Sequence, residues 1–484
     1  MNQPKKIAIV GGGTAGYVAA LILKNRLNCE VDLIYSNRIG IVGVGEGSTE
    51  HWNEFIKFIN ATPHEVVREC DATVKIGIMF QNWAEKDYLH SIQGGFDFSL
   101  GLTPAVYLKL IADEATPKDI GNSHIWENKF EVEYLKEGPF FQSNQFHFNT
   151  HSLNNWLQRK CHQFGINLIK DEILDVKLNE RGEVSTLTGE KGIYNYDFYI
   201  DATGFKRLLI NKVGGKWNSY SKYLKMKSAI AFATPDTEEY NMWTVARAMD
   251  YGWNFRIPTW GRQGNGYIFD SDYITVEQAK MEIEKLYGHE VQVGKTFNFD
   301  SGALHEPWIK NVVAIGLSAN FVEPMEASSI GSSIQQAFLL MHMIPGYNEK
   351  TIKKYNKSVN EMTDNIRDFI ALHYITQKDN TQFWKDLKSV SLPDSLSEKL
   401  EWWKHHIPTN EDFTHDTNYT MFKHMHHIHI LHGLGLFNKD SLRKQWEGLH
   451  PNLKQYVEQT INNVKMKKYQ TMSHKKAIEI IRNS

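Results

Sequence analysis

The segment KKIAIVGGGTAGYVAALILKNRL, residues 5–27, limits the folds open to this chain more than any other stretch. It reads as a β-branched strand, a glycine-rich turn, and a helix whose apolar residues recur at helical spacing. Gly11, Gly13 and Gly16 fit G-x-G-x-x-G after a strand and at the opening of a helix, the context in which that spacing marks a dinucleotide site. Glycine lets the backbone approach a pyrophosphate, and the free N–H groups of the helix start, at Thr14 and Ala15, face its charge.

A second strand is expected at residues 31–35, and an acidic residue usually follows such a strand to hold the adenosine ribose. Here Tyr35 and Ser36 stand in its place, with Ser36 able to make one hydrogen bond. YNYDFYIDATGFKR is a strand ending in a loop that carries Asp201 and Gly204 back to the same edge. NVVAIGLSANFVEPMEASSIGSSIQQAFLL runs strand, small-residue loop and helix once more. Each of the later loops taken singly is also an ordinary strand-to-helix turn. Together, three returns to one edge suit FAD, a ligand long enough to need them.

The chain has 484 residues, a formal net charge of -2 and a hydrophobic fraction of 41%, values that give no reason to expect nucleic-acid binding. Cys29, Cys70 and Cys161 are odd in number and widely spaced, which excludes a disulfide framework or a zinc-finger pattern and points to a reducing compartment. No segment approaches 18 uninterrupted apolar residues, and the opening residues lack a cleavable leader pattern. A cytoplasmic, soluble protein with no membrane partner is expected.

In DATVKIGIMFQNW, residues 71–83, Lys75 lies within an apolar run and precedes the aromatic pair Phe80 and Trp83. Taken alone, period-2 alternation puts this lysine on the solvent face of a strand, or lets its stem snorkel past the core.

The glycine segment, IVGVGEGSTEHW at 41–52, VKIGIMFQNW at 74–83, GWNFRIP at 252–258, GLSANFVEPMEASSI at 316–330 and LHYITQKDNTQFW at 372–384 together resemble the flavin-dependent tryptophan halogenases. The resemblance implies a halogenase in which reduced FAD, oxygen and halide generate hypohalous acid, and a lysine directs the halogen onto an electron-rich arene. That lysine is Lys75, its pKa lowered by desolvation, with Glu326 as the second catalytic group, placed to orient the halogen and take the ring proton. Glu326 also suits a helix start, where a carboxylate complements the dipole. The resemblance also assigns Gly43, Val44, Gly45 and Glu46 to a strap over the flavin, and Leu317, Ile330 and Ile173 to flavin contacts. It places halide on the N–H groups of Ser328 and Ser329, and the arene beside His90 and Phe80.

The chain departs from the family at several points. W-x-W-x-I-P appears as Trp253-Asn254-Phe255-Arg256-Ile257-Pro258, and Ala327-Ser328 replaces Ser-Thr after the glutamate. Ile92 replaces a phenylalanine after His90, and MFKHMHHIHILHGLG replaces segments that hold free tryptophan. An indole or phenol lacking the amino-acid head is therefore the expected substrate, with bromide and iodide favoured over chloride. His424, His426, His427, His429 and His432 lack a carboxylate or cysteine at matching spacing, so no metal is expected, and they read as pocket or surface residues.

The fold expected is α/β: an FAD-binding, flavoprotein-monooxygenase-like module over residues 1–345 with an interleaved β-sheet, and a mostly helical substrate cap over 346–484. The expected partners are an aromatic small molecule and a separate flavin reductase, and a homo-oligomer is compatible with the sequence. An aromatic hydroxylase is the alternative enzyme, although Lys75 and Glu326 would have no task in it. A non-catalytic flavoprotein is the other alternative.

Overall fold

The computed structural model describes residues 4–40, 46–91, 103–120, 123–136, 145–413 and 419–484. The expected Gly43, Val44 and Gly45 of the strap, and the substituted Ile92, lie outside them. The first sheet has six strands in the order Trp308–Ile309, Val312–Ala314, Phe198–Asp201, Lys6–Val10, Glu30–Tyr35 and Asn167–Lys170. Its five strands from Val312–Ala314 to Asn167–Lys170 pair in parallel. Parallel neighbours need crossovers that cover both faces, so these strands read as continuous apolar runs. Ile7, Ala8, Ile9 and Phe198 are all fully buried. The helix Thr14–Arg26 packs on this sheet and on the helix Ser328–Met343.

A second sheet has seven strands in the order Val293–Asn298, Ser228–Pro235, Arg262–Phe269, Gly252–Thr259, Trp243–Ala248, Gly77–Gln81 and Tyr88–Ser91. Lys75 lies where the chain enters it. The strand Thr73–Lys75 belongs to a small sheet with Gln145–Phe148 and Glu46–Gly47. Ile76 then donates its N–H to the Met242 carbonyl at 2.7 Å, and Gly77–Gln81 continues parallel to Trp243–Ala248. The run from Thr73 to Phe80 is buried throughout, so strand alternation presents no solvent face there. Lys75 is fully buried.

After residue 346 the chain is mostly helical, led by the 25-residue helix Glu349–His373. Pro393 precedes the helix Asp394–Trp403, at the Ser/Pro break expected in KSVSLPDSLSEKL. The last segment returns to the N-terminal part. Thr471–Ser473 pairs with Lys129–Glu131, and His474 Nε2 accepts the Val74 N–H at 3.2 Å, one residue from Lys75. Cys29, Cys70 and Cys161 are free thiols, and no described helix is long and apolar enough to cross a membrane. The α/β class, the interleaved sheet and the helical C-terminal part are as the sequence led one to expect.

The glycine turn tests this packing. Gly11 has φ +124°, and a Cβ there would stand 2.1 Å from the Ala202 carbonyl oxygen. Gly11→Ala is expected to cost about 2 kcal/mol or more through backbone strain and overlap, read as a lower midpoint in urea unfolding. An unchanged midpoint would contradict the close approach of these two loops.

Candidate active site

The turns at the carboxyl edge of the first sheet open onto a cavity of about 520 Å³. Its wall includes Gly11, Gly13, Thr14, Ala15, Ser36, Glu46, Ile173, Gly204, Leu317, Ser329 and Ile330, brought together from distant parts of the chain. The glycines divide the work between them. A Cβ on Gly16 would meet the Gly11 carbonyl oxygen at 2.0 Å, so Gly16 lets the helix approach the turn. A Cβ on Gly13 would meet no protein atom within 4 Å, so its missing side chain leaves room beside the helix start.

Two further residues are placed less directly. Ser36 Oγ donates to Glu172 Oε2 at 3.1 Å, which puts a carboxylate at the strand edge where the sequence after residue 35 offers none. Asp201 is fully buried behind the wall. Its carboxylate accepts from the Thr203, Leu209 and Ile210 N–H groups and from the Thr203 and Ser318 hydroxyls, at 2.7–3.2 Å. Asp201 therefore shapes the loop that presents Gly204 and does not line the cavity itself.

The residues present fit a flavin dinucleotide. A helix N-terminus faces the cavity over an open glycine, and Glu46 on the wall keeps a buried Oε2 without a hydrogen-bond partner. Burial pushes the Glu46 carboxyl up to about 7. Trp253, Phe255 and Phe297 supply flat apolar surface from the second sheet, and Phe321 adds to it from the short strand Asn320–Phe321.

Lys75 lies just behind this wall. Gly47 lines the cavity, and a Cβ on it would stand 3.4 Å from Lys75 Nζ and 3.2 Å from the Ala327 Cβ. Lys75 Nζ donates to the Ser48 carbonyl at 3.0 Å. Burial lowers its pKa to about 8, against the opposing charges of Glu326 and Glu50.

Glu326 ends the short turn Pro324–Glu326 and is 2% exposed. Ala327 follows in the left-handed region with φ 53°, which swings the chain into the helix Ser328–Met343 and leaves the Ser328 and Ser329 N–H groups at its start. His90 Nδ1 lies 2.9 Å from both carboxylate oxygens of Glu326, and His373 Nε2 lies 2.9 Å from Oε1. Burial alone would raise this carboxyl, but the charges and hydrogen bonds of the two histidines outweigh it and hold it well below the usual carboxylate range.

His373 Nδ1 faces the Phe369 carbonyl at 2.7 Å, an acceptor, so that nitrogen carries a hydrogen. Its Nε2 then meets a carboxylate oxygen, and one further proton must lie between His373 and Glu326. The sequence singled out neither His373 nor His426 as a partner of the glutamate. The only available signal for His373 was its place in LHYITQKDNTQFW, since helical periodicity makes it one more buried helix residue.

The other glutamate of E-P-M-E, Glu323, accepts from Trp253 Nε1 at 3.1 Å and from the Tyr374 hydroxyl at 2.5 Å. This ties the turn to the second sheet and to the end of the long helix, and uses the tryptophan retained in Trp253-Asn254-Phe255-Arg256-Ile257-Pro258. Phe80 is buried, stacked on Tyr88 at 5.0 Å and tilted against His373 at 4.9 Å.

The histidine segment forms the helix His424–Gly433. Contrary to a pocket or surface placement, His427 is buried among Phe369, Trp403 and Phe413, with Nδ1 on the Lys423 carbonyl. His426 is buried against His90. Among the described residues no group of three or more His, Cys, Asp or Glu is arranged to hold a metal ion.

The family described as tryptophan halogenase matches residues 6–445. The chain is 31% identical over 451 residues to the tryptophan 6-halogenase SttH of Streptomyces toxytricini, covering 85% of this chain and 86% of that one. The crystal structure of SttH superposes with a TM-score of 0.84 at 26% identity, over 99% of this chain and 100% of that one. A flavin-dependent halogenase from Xanthomonas campestris superposes with a TM-score of 0.83 at 28% identity, over 100% and 98%. A glycine-turn cavity, a lysine behind its wall and a glutamate beyond it thus sit in a chain that belongs to the tryptophan halogenase family of flavin-dependent halogenating enzymes.

Proposed function

We propose that the protein is a flavin-dependent halogenase in which hypohalous acid, made from halide and oxygen with separately reduced FAD, is directed by Lys75 onto an electron-rich arene of indole or phenol type. The observation that carries this reading is the placement of a desolvated lysine one glycine behind the cavity wall, with its neighbour Glu326 in the same buried site. Bound reduced FAD supplies the activation of oxygen with which halide is oxidised.

Gly11, Gly13 and the helix start at Thr14 and Ala15 receive the pyrophosphate, Ser36 and Ile173 the adenosine end, and Glu46, Gly204, Leu317 and Ile330 the remainder. Asp201 acts through the loop that carries Gly204. The Ser328 and Ser329 N–H groups, unsatisfied at a helix start, suit a halide ion. Gly47 leaves a path past the wall to Lys75, whose ammonium can hold the electrophilic halogen while apolar surroundings keep it from water. Ionised Glu326 accepts the ring proton. His90 and Phe80 sit on the arene side, which the helical part after residue 346 covers. The free thiols fit a reducing cytoplasm.

Product mass is the direct test. With a flavin reductase, NADH and halide, simple indoles or phenols are expected to gain halogen and to show higher kcat/KM than free tryptophan, with bromide and iodide ahead of chloride. A hydroxylated product would support the hydroxylase instead, and tryptophan with chloride as the best pair would overturn the substrate reading.

Lys75→Ala is expected to lower halogenation by about two orders of magnitude or more while FAD binding and oxygen consumption persist. Retention of about a tenth of the wild-type rate would remove Lys75 from the mechanism. Gly13→Val should leave the fold intact, since the open backbone at φ -89° and ψ 175° accepts valine, and weaken FAD by filling the approach to the pyrophosphate. Unchanged flavin affinity by fluorescence titration would move the cofactor elsewhere.

A further inference from the structure

The strand Glu30–Tyr35 ends without an acid, where an acid ordinarily takes a hydroxyl of the adenosine ribose. Three carboxylates stand on the wall of the glycine-turn cavity: Glu46, Asp171 and Glu172. Asp171 and Glu172 follow the strand Asn167–Lys170, the parallel neighbour of Glu30–Tyr35, in which Lys170 lies opposite Tyr35. Asp171 extends that pairing by donating its N–H to the Tyr35 carbonyl at 3.0 Å, so Glu172 arrives beside Ser36.

The glycine turn lies against the same strand end. Gly11 donates its N–H to the Ile34 carbonyl at 2.9 Å, and a Cβ on Gly12 would stand 2.6 Å from the Tyr35 Cβ. A ligand whose phosphates meet the turn therefore carries its adjoining sugar past Ser36 and Glu172.

Hydrogen bonds decide among the three acids. Asp171 is 4% exposed and both its oxygens are taken. Its Oδ1 accepts from the Glu172 N–H at 2.8 Å, its Oδ2 from the Tyr194 hydroxyl at 2.8 Å, and the Lys191 N–H lies 3.1–3.2 Å from both. Glu46 adjoins Gly47, which places it on the Lys75 side of the cavity. Glu172 differs from both. Its Oε2 is fixed by the Ser36 hydroxyl at 3.1 Å and by Arg38 Nη2 at 3.2 Å, and its side chain is 24% exposed. Its Oε1 has no hydrogen-bond partner among the described residues. Ser36 Oγ in turn accepts the Arg38 N–H at 3.2 Å. The serine hydrogen is spent on the glutamate, so Ser36 cannot donate to a ligand while it holds Glu172.

We propose that Glu172 Oε1 accepts a hydroxyl of the adenosine ribose of FAD, so that a glutamate presented by the neighbouring strand sets the cavity's preference for a ribose-bearing dinucleotide. The proposal rests on the FAD reading of the cavity, and it makes Ser36 and Arg38 positioning residues for this carboxylate.

An ionised carboxylate oxygen accepts hydrogen bonds and has none to donate, so it selects a hydroxyl donor and disfavours an anion in the same place. A sugar lacking that hydroxyl displaces water from the oxygen and returns nothing, which is why sites built to bond a hydroxyl reject analogues without it.

The test is a set of dissociation constants on the whole protein, read by flavin fluorescence, for FAD, its 2′-deoxyadenosine and 3′-deoxyadenosine analogues, and FMN. Wild type should bind FAD about tenfold or more tighter than the weaker of the two deoxy analogues. Glu172→Ala should bind FAD and both analogues within about twofold of one another, with FMN, which has no adenosine, held as in wild type. A glutamate that serves only its ion pair with Arg38 would, when removed, weaken all three dinucleotides alike and keep their ratio. That result would overturn the proposal, as would a wild type that does not distinguish FAD from either analogue. Glu172→Asp keeps the charge but shortens its reach by a methylene. It should lose the ratio as well, and it carries the test should the alanine variant fail to fold. A wild type that binds no FAD would overturn the cofactor reading itself, whereas FAD binding with an unchanged ratio in the variants overturns only the ribose contact, so the two failures are distinct.

Discussion

The site depends on an ammonium group kept out of water. Lys75 has no exposed surface, and the cost of desolvating a charge is met by one backbone carbonyl, from Ser48, and by carboxylates near enough to act through space. That balance leaves its pKa at about 8, so the group can be cationic or neutral near physiological pH at small cost. An exposed lysine at 10.5 would stay a hydrated cation, and a lysine paired directly with a carboxylate would be locked as one. The neighbouring Glu326 is spared such pairing because His90 and His373 claim its oxygens.

Much of the architecture serves to hold these groups. Lys75 and Ile76 are the step at which the chain leaves one sheet for another, so both sheets fix the lysine's position. The turn that bears Glu326 is tied by Glu323 to Trp253 of the seven-stranded sheet and to Tyr374 at the end of the long helix. Burial pushes Glu323 up to about 7, a cost retained in exchange for a fixed turn. His474 from the last helix closes the backbone of Val74. Residues far apart in sequence thus converge on one small volume, and a shift in any of these supports would move Lys75 or Glu326.

What the sequence revealed followed from local physics. The G-x-G-x-x-G spacing, read with its strand and helix, marks the turn where Gly11 needs its positive φ and Gly16 its close approach. The Ser/Pro break before Asp394 was legible for the same reason. Lys75 was not legible from alternation, because burial of both strand faces depends on neighbours hundreds of residues away. The resemblance to a known family singled it out instead. Asp201 looked like a ligand residue, whereas four of its hydrogen bonds lie within its own loop and the fifth comes from Ser318 in the neighbouring loop, a distinction that spacing does not encode. The contacts of His90 with Glu326 and of His426 with His90 join segments separated by 236 and 336 positions, and no local pattern could have paired them. Glu172 beside Ser36 is a similar case, an acid supplied by the adjoining strand's end.

The account stands or falls on the state of that buried lysine. The most direct measurement is an NMR titration of lysine side chains labelled at the ε-carbon, comparing wild type with Lys75→Met to assign the resonance. One lysine should titrate near pH 8, and its signal should be missing from the variant. If every lysine resonance of the wild type titrates in the ordinary range around 10.4, Lys75 is a hydrated cation and the buried site described above is contradicted.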